Sequence, residues 1–310
     1  MYIVLDLEWN IFSKSLLKEA GLSTPELAEE IMEIGACFLD DNLNLVDNFA
    51  RNIKAKYNHE MHEHVAKVTG RDSESLKSGL SFPQAVKEFN EWWQDLAQGE
   101  KVLFCTWSNN DVRPWRKNFK KYNLVWPKGM RFFDAQRLFS MYMGKGKQQS
   151  SVQTAIGELG IEEEYPLHCA VNDAHYTSLI FKKTLSTLQK KEVLPNDKDK
   201  LFDVLYKYSY DVSLNYKEKL QFSNITSVKD LPRLAIDTDW TCPACKQTLL
   251  INRDWKMSKG GQKLITHSKC LEHGSVLIKL NCFRSREERD LNNSFQVRGE
   301  VKLDAMRAII

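Results

Sequence analysis

Long apolar runs are missing from this 310-residue chain, and none approaches the ~20 residues that span a bilayer. The apolar opening, YIVLDLEW, is interrupted by acids and has no basic leader or small-residue cleavage site, so no secretory signal is expected. Glycine (14) and proline (8) are too scarce for a collagen-like or low-complexity chain. No repeat recurs at a period of about 20–50 residues. A dominant sign of charge is also lacking, with a net charge of +3. The small excess of base sits at the end: residues 236–310 carry 13 Lys and Arg against 9 Asp and Glu, and the remainder carries 31 against 32. That balance favours an anionic partner for the last quarter, and it equally suits a plain solvated surface. The seven cysteines are an odd number, unlike the even framework of a small disulfide-bonded secreted domain. Cys37, Cys105 and Cys169 are isolated, whereas Cys242, Cys245, Cys270 and Cys282 are grouped. This is the pattern of a cytoplasmic protein with reduced thiols and a metal site near its end.

What is present has the texture of an ordinary folded protein, 42% hydrophobic and 27% charged, long enough for two domains. The first 55 residues read as strands: YIVLDL, then, after a loop around Gly21–Pro25, IMEIGACFLD and LNLVDNFARNI as a hairpin about Asp40-Asp41-Asn42. Val86, Phe89, Trp93 and Leu96 recur at helical spacing over Pro83–Leu96. KVLFCTW reads as a buried strand, Val112–Tyr122 as a basic helix, and RFFDAQRLFSMY as a strand running into a helix. Ser151–Leu159, Asn172–Leu188 and Leu201–Leu220 read as helices. Strands followed by alternating strands and helices predict an α/β domain with a mixed sheet. The expected division is a first domain over 1–190, a linker and helical segment over 191–235, and a small domain over 236–310.

Asp6 and Glu8 close the first strand at a spacing of two, which puts both side chains on one face. Paired carboxylates repel unless a hard divalent cation such as Mg²⁺ or Mn²⁺ lies between them. Asp111 follows the KVLFCTW strand, and HCAVNDA places His168 five residues before Asp173 at a helix start. Each has a bland alternative: Asp111 as a helix cap, Asp173 as a first-turn acid, His168 as an ordinary surface or core histidine. Arg113, Arg116, Lys117, Lys120 and Lys121 form either a phosphate-attracting helix or a solvated face. Lys145 and Lys147 in GKGK are further candidates for phosphate contact, although GKGK is not a P-loop.

This ordered set of Asp-x-Glu, Asp, and His-x4-Asp resembles the DEDDh 3′→5′ exonucleases, the DnaQ-like group of the ribonuclease H-like fold. IMEIGACFLD, VTGRDSESLKSGLSFPQAVKEFNEWW and FFDAQRLF resemble the family's intervening segments, so the likeness runs from residue 1 to about 190. It is nearest the branch of histone-mRNA exonucleases and sporulation-inhibitor proteins. The resemblance implies a ribonuclease H-like domain with a mixed five-stranded sheet. It also implies two ions, Mg²⁺ or Mn²⁺, held by Asp6, Glu8, Asp111 and Asp173 about 3.5–4 Å apart, with His168 as general base. A histidine, with an ordinary pKa of ~6.5, suits that task. Leu7 and Trp9 would lie beside the terminal nucleotide. Trp9 stands where proofreading members carry Thr, and it reads either as a base-stacking platform or as a core residue.

Cys242-x2-Cys245 and Cys270-x2-His273 supply three thiolates and an imidazole, a full tetrahedral set for one structural Zn²⁺, and the arrangement resembles a zinc ribbon. Cys282 is the alternative to His273. With Arg284, Arg286 and Arg289 downstream, the small domain would hold nucleic acid, bind a protein partner, or cap its neighbour. The resulting expectation is a cytoplasmic, metal-dependent 3′→5′ exonuclease acting on single-stranded 3′ ends, RNA in preference to DNA. The rivals are a DNA proofreading or repair exonuclease and a regulatory protein-binding module that keeps the fold.

Overall fold

The computed structural model describes residues 1–11, 26–127, 130–146, 148–211, 217–225, 227–251, 254–284 and 295–303. Gly21–Pro25, Lys147, Arg286 and Arg289, and the side chain of Arg284, lie outside the described set. The chain forms two compact units, Met1–Val212 and Ser213–Ile309.

The first unit is built on a mixed sheet. β1 (Tyr2–Ile11) is flanked by β2 (Glu29–Leu39), which pairs antiparallel with it and with β3 (Leu45–Asn52). On its other side β4 (Leu103–Thr106) and β5 (Arg131–Asp134) continue in parallel. Alternation along β1 sorts its two faces. Ile3, Leu5 and Leu7 join a core with Phe82, Phe89, Phe104, Trp115 and Phe119, contributed by α2 (Phe82–Ala97), β4 and α3 (Val112–Lys121). The shorter α1 (Glu63–Thr69) precedes them. Tyr2, Asp6 and Glu8 face the other way, where Tyr2 meets Phe181 of the long helix α6 (Ala170–Lys190). Between these, α4 (Ala135–Tyr142) and α5 (Val152–Leu159) pack against α6.

Two expectations are corrected. The sheet has six strands, because β6 (Tyr210–Asp211) pairs antiparallel with β5. The helix expected over Leu201–Leu220 is α7 (Lys198–Lys207) and stops there. Tertiary contacts outweigh its helical pattern: Arg131 donates to the Ser209 hydroxyl and carbonyl at 2.8 and 2.9 Å, and Arg116 donates to the Tyr210 hydroxyl at 2.7 Å. The described residues of the 191–235 segment contribute to both units, with α7 and β6 in the first. Its later part contributes β7 (Lys217–Ile225) and the start of α8 (Leu231–Asp237) to the second unit.

The second unit is an antiparallel sheet in the order β7-β12-β11-β10-β8. These are β8 (Leu250–Ile251), β10 (Lys263–Cys270), β11 (Gly274–Arg284) and β12 (Phe295–Leu303), with β9 (Lys256–Met257) pairing on β10. One face packs Leu264, Val276, Ile278, Leu280, Val297 and Val301 against Leu231, Ala235 and Trp240. It is larger than the zinc ribbon the cysteine spacing suggests. Among the described residues no helix is long and apolar enough to cross a membrane.

One glycine decides how closely the first unit's layers approach. Gly35 lies opposite Asp6 in the β1–β2 register, and a Cβ there would sit 2.1 Å from the backbone of Ala170 and Val171. Only a residue without a side chain lets the first turn of α6 rest on the sheet at this point. Gly35→Ala is expected to cost about 1–3 kcal/mol or more, as overpacking does, and to lower the midpoint of urea unfolding. An unchanged midpoint would show that the helix is not pinned there.

Candidate active site

Asp6, Glu8, Asp111 and Asp173 line one cavity of about 310 Å³. Strand alternation carries Asp6 and Glu8, the turn after β4 carries Asp111 to the start of α3, and the first turn of α6 carries Asp173. Asp111 occupies the N-cap position of α3, but its side chain makes no capping bond. The capping alternative is thus not used, and the buried carboxyl lies in the cavity wall. His168 precedes α6 with φ +64, and its backbone N–H donates to Asp173 Oδ2 at 3.2 Å. Its exposed imidazole comes within 4.8 Å of Glu8 and Asp173, counted between ligand atoms. All five residues expected from sequence therefore meet at one place.

Trp9 and Leu7 also line this cavity, with Ile11, Val65, Val68 and Trp107. Trp9 is half-buried, and a bulge on β2 sets it opposite Ile31 instead of Met32, a common device for re-aiming a side chain beside a site. Leu7 is 2% exposed and its side chain belongs to the core, so its part in the cavity is slight. The basic helix is mostly engaged within the protein. Arg113 and Lys117 both pair with Glu29, Lys121 with Glu26, and Arg116 bonds Tyr210. Lys145 pairs with Glu158.

Three neighbours escape the sequence reading. Glu33 sits opposite Glu8 in register, buried, ion-paired with Arg71 and accepting from Cys169 Sγ at 3.4 Å. Arg71 also donates to Asn52 at 3.2 Å. Asp134 caps α4 by accepting from the Arg137 N–H at 2.9 Å, and burial pushes its carboxyl up to about 6. The one available signal was Glu33 within the apolar stretch Ile31–Leu39 of β2; nothing local marks Arg71.

The electrostatics follow from crowding. Burial, with Asp111, Asp173 and Glu8 nearby, holds Asp6 well above the carboxylate range. Burial, then Asp173 and Glu33, pushes Glu8 up to about 7 against the pull of Arg71. Burial and the neighbouring acids raise Asp111 to about 8. Burial raises Asp173 to about 6, opposed by the His168 N–H. Asp173 Oδ1 is buried and has no hydrogen-bond partner. An orphaned buried carboxylate oxygen among repelling acids is what a hard divalent cation satisfies, so the donor set fits Mg²⁺ or Mn²⁺.

The Cys and His cluster lies in the second unit. Cys245 and Cys270 Sγ are 3.7 Å apart, and His273 Nδ1 is 3.8 Å from Cys242 Sγ and 3.7 Å from Cys270 Sγ. A tetrahedron with Zn–S of about 2.3 Å has S–S edges of about 3.8 Å, so the set is already at zinc spacing. The β10–β11 turn achieves this by pairing Cys270 with Gly274, which carries His273 back over the strand end. Burial raises the Cys270 thiol, but hydrogen bonds from the His273 backbone and ring outweigh it and bring it down to about 7. Cys282 is 4% exposed in the sheet core and is not in the cluster, which gathers His273 with the three other cysteines.

Without metal, the raised carboxyls keep protons that the unfolded chain gives up near pH 4. The folded state then binds more protons, so the cluster's contribution to stability falls as pH rises from about 4 through about 6, 7 and 8, where Asp173, Glu8 and Asp111 give up theirs. Asp6→Asn is expected to raise the melting temperature by several degrees at pH 8 in chelator and to change it little at pH 5. An equal loss at both pH values would mean that Asp6 is stabilised, not strained, by its surroundings.

The Exonuclease family model, RNase T, matches residues 3–181. No curated protein matches the sequence. Among solved structures, the nuclease domain of 3′hExo, a DEDDh member bound to rAMP, aligns with TM-score 0.52 and 17% identity over 60% of this chain and 92% of that one. A full-length 3′-exonuclease aligns with TM-score 0.52 and 17% identity over 60% and 81%. Cell-death related nuclease 4 aligns with TM-score 0.50 and 16% identity over 60% and 64%. At these identities the likeness is one of fold. With the family model spanning more than half of the sequence and the mixed sheet bringing the DEDDh residues together, this chain belongs to the RNase T exonuclease family, hydrolases of the DEDDh group.

Proposed function

We propose that the protein is a metal-dependent 3′→5′ exonuclease acting on single-stranded ends, with RNA preferred over DNA. The observation that carries the reading is the convergence of Asp6, Glu8, Asp111 and Asp173 on one cavity, with His168 at its rim and one Asp173 oxygen unpartnered. The RNA preference draws on the ribonucleotide bound by the nuclease domain of 3′hExo.

Asp6, Glu8, Asp111 and Asp173 would hold two ions, Mg²⁺ or Mn²⁺, which when bound neutralise phosphate charge and make water a better nucleophile. His168 would take the proton from the attacking water. Its position favours this: the imidazole is exposed, while its backbone N–H ties the loop to Asp173. The left-handed backbone at His168 fixes where the ring leaves the chain. Trp9, Ile11, Val65, Val68 and Trp107 give the cavity an apolar wall that orients a terminal base, while the acids stand where the phosphate must lie.

In the second unit, Cys242, Cys245, Cys270 and His273 would hold one Zn²⁺. Four protein ligands leave no open position, which makes the ion structural.

Two experiments test these readings. In a digestion time course with 5′-labelled single-stranded RNA and matching DNA, a ladder shortening from the 3′ end is expected with Mg²⁺ or Mn²⁺, faster on RNA. Asp6→Asn and His168→Ala should each slow it at least about 100-fold, at the low end for loss of a general base. No cleavage of either strand by folded, metal-loaded protein would overturn the proposal. For the second unit, metal analysis should find one zinc per chain, lost in Cys270→Ser and retained in Cys282→Ser; the reverse result would reassign the ligands.

A further inference from the structure

The second unit's sheet has two unlike faces. One is the apolar core already described. On the other, the registers place β7, β12, β11 and β10 side by side with their outward residues in rows. Lys263 and Lys269 on β10, Lys279 on β11, Arg298 and Lys302 on β12, and Lys219 on β7 all point to this side. All are exposed except Lys279, which is half-buried. Among the described residues of these four strands, Glu300 is the one carboxylate on this face, and Lys217 engages it at 2.6 Å. None of the six cations has an ion-pair partner among the described residues. Lys302 even stands directly opposite Lys217, a like-charge pair that antiparallel sheets normally avoid.

Several cations of the first unit have carboxylate partners instead. Arg113, Lys117, Lys121 and Lys145 are each held by a glutamate. On the basic sheet face a single carboxylate, Glu300, faces seven cations, and Lys217, Lys279 and Lys302 all help hold it below its ordinary range. It is also not purely polar. Phe283 lies on it with the Arg298 guanidinium 4.5 Å from its ring centroid, and Leu277 and Ile265 stand between the lysines. Like-facing residues recur about every 6.8 Å along a strand, and neighbouring strands lie about 4.8 Å apart. That grid offers cations beside one aromatic ring, Phe283, and the aliphatic side chains of Leu277 and Ile265. A positive surface with a ring and apolar patches between its cations suits a flexible polyanion whose repeating charges carry flat rings.

We infer that this outward sheet face binds a single strand of nucleic acid through its phosphates. The choice of nucleic acid among polyanions rests on the reading of the first unit as an exonuclease. The charge and the geometry of the face do not. The occupant is held with little regard to sequence, because lysines on a sheet address phosphates and leave base edges unread.

The test uses the full-length protein in the Asp6→Asn background, so that the strand is not consumed. Binding of a dye-labelled 20-nucleotide single-stranded RNA is followed by anisotropy across a salt series. The triple variant Lys263→Gln, Lys279→Gln, Arg298→Gln removes three phosphate contacts. At about −0.7 per contact in the slope of log K against log salt, the slope should become shallower by about 2, and affinity at 0.1 M salt should fall about 100-fold. Replacing the two lysines by arginine should retain binding. Removing Lys87, Lys182 and Lys190 of the first unit should not weaken it. Zinc content and melting temperature report that each variant is folded. An unchanged slope in the triple variant overturns the inference. So does equal displacement of the strand by polyglutamate or by phosphatidylserine vesicles, which would assign the face to an acidic protein or a lipid surface. If the wild-type protein cuts no strand but the salt slope behaves as described, the face stands and the exonuclease reading fails.

Discussion

Repulsion among buried carboxylates is the constraint around which the first unit is arranged. Asp6, Glu8, Asp111 and Asp173 come from three separate parts of the chain, and left to themselves they would avoid one another. The surrounding packing holds them in place. The α2 and α3 aromatics fix one face of β1, so that the other face must present Asp6 and Glu8. Gly35 lets α6 descend far enough to set Asp173 beside them. The cluster is therefore strained by itself and satisfied by cations, which is the state a metal-dependent site needs before its ligand arrives.

A second layer keeps this arrangement from being worse. Glu33 would be one more unpaired acid next to Glu8, but Arg71 neutralises it, and Cys169 donates to its other oxygen. Arg71 also draws Glu8 down. One guanidinium thus serves two carboxylates, and Asn52 on β3 fixes its second nitrogen. Breaking a buried pair of this sort leaves an uncompensated charge, so Arg71 carries more weight than its distance from the cavity suggests.

Legibility in the sequence followed the range of the interaction. Asp6 and Glu8 share a face because a strand alternates, and that is a local rule. Asp111, His168 and Asp173 are individually ambiguous, and only their order and spacing gave them meaning. The Glu33–Arg71 pair could not be read, because it joins residues 38 apart through a register and a turn that leave no local mark. The sixth strand was missed for the same reason: Leu201–Leu220 has helical periodicity, yet Arg131 reaches across to claim Ser209 and β5 offers an open edge to Tyr210. Spacing alone also left Cys282 as a spare candidate that could replace His273. The hairpin register separates them, since Cys282 pairs with Val297 in the sheet interior while His273 sits on the turn.

The two units solve opposite electrostatic problems by related means. In the first, like negative charges are gathered on a rigid sheet end and wait for cations. In the second, like positive charges are gathered on a rigid sheet face, and the Cys and His cluster joins the loop of Cys242 and Cys245 to the β10–β11 turn that borders this sheet. A sheet bearing unpaired cations is weakened by their repulsion. A four-ligand zinc site supplies stability independent of core size. With the proposed zinc bound, the Cys and His cluster and the basic face belong together: the first would make tolerable the charge density that the second requires.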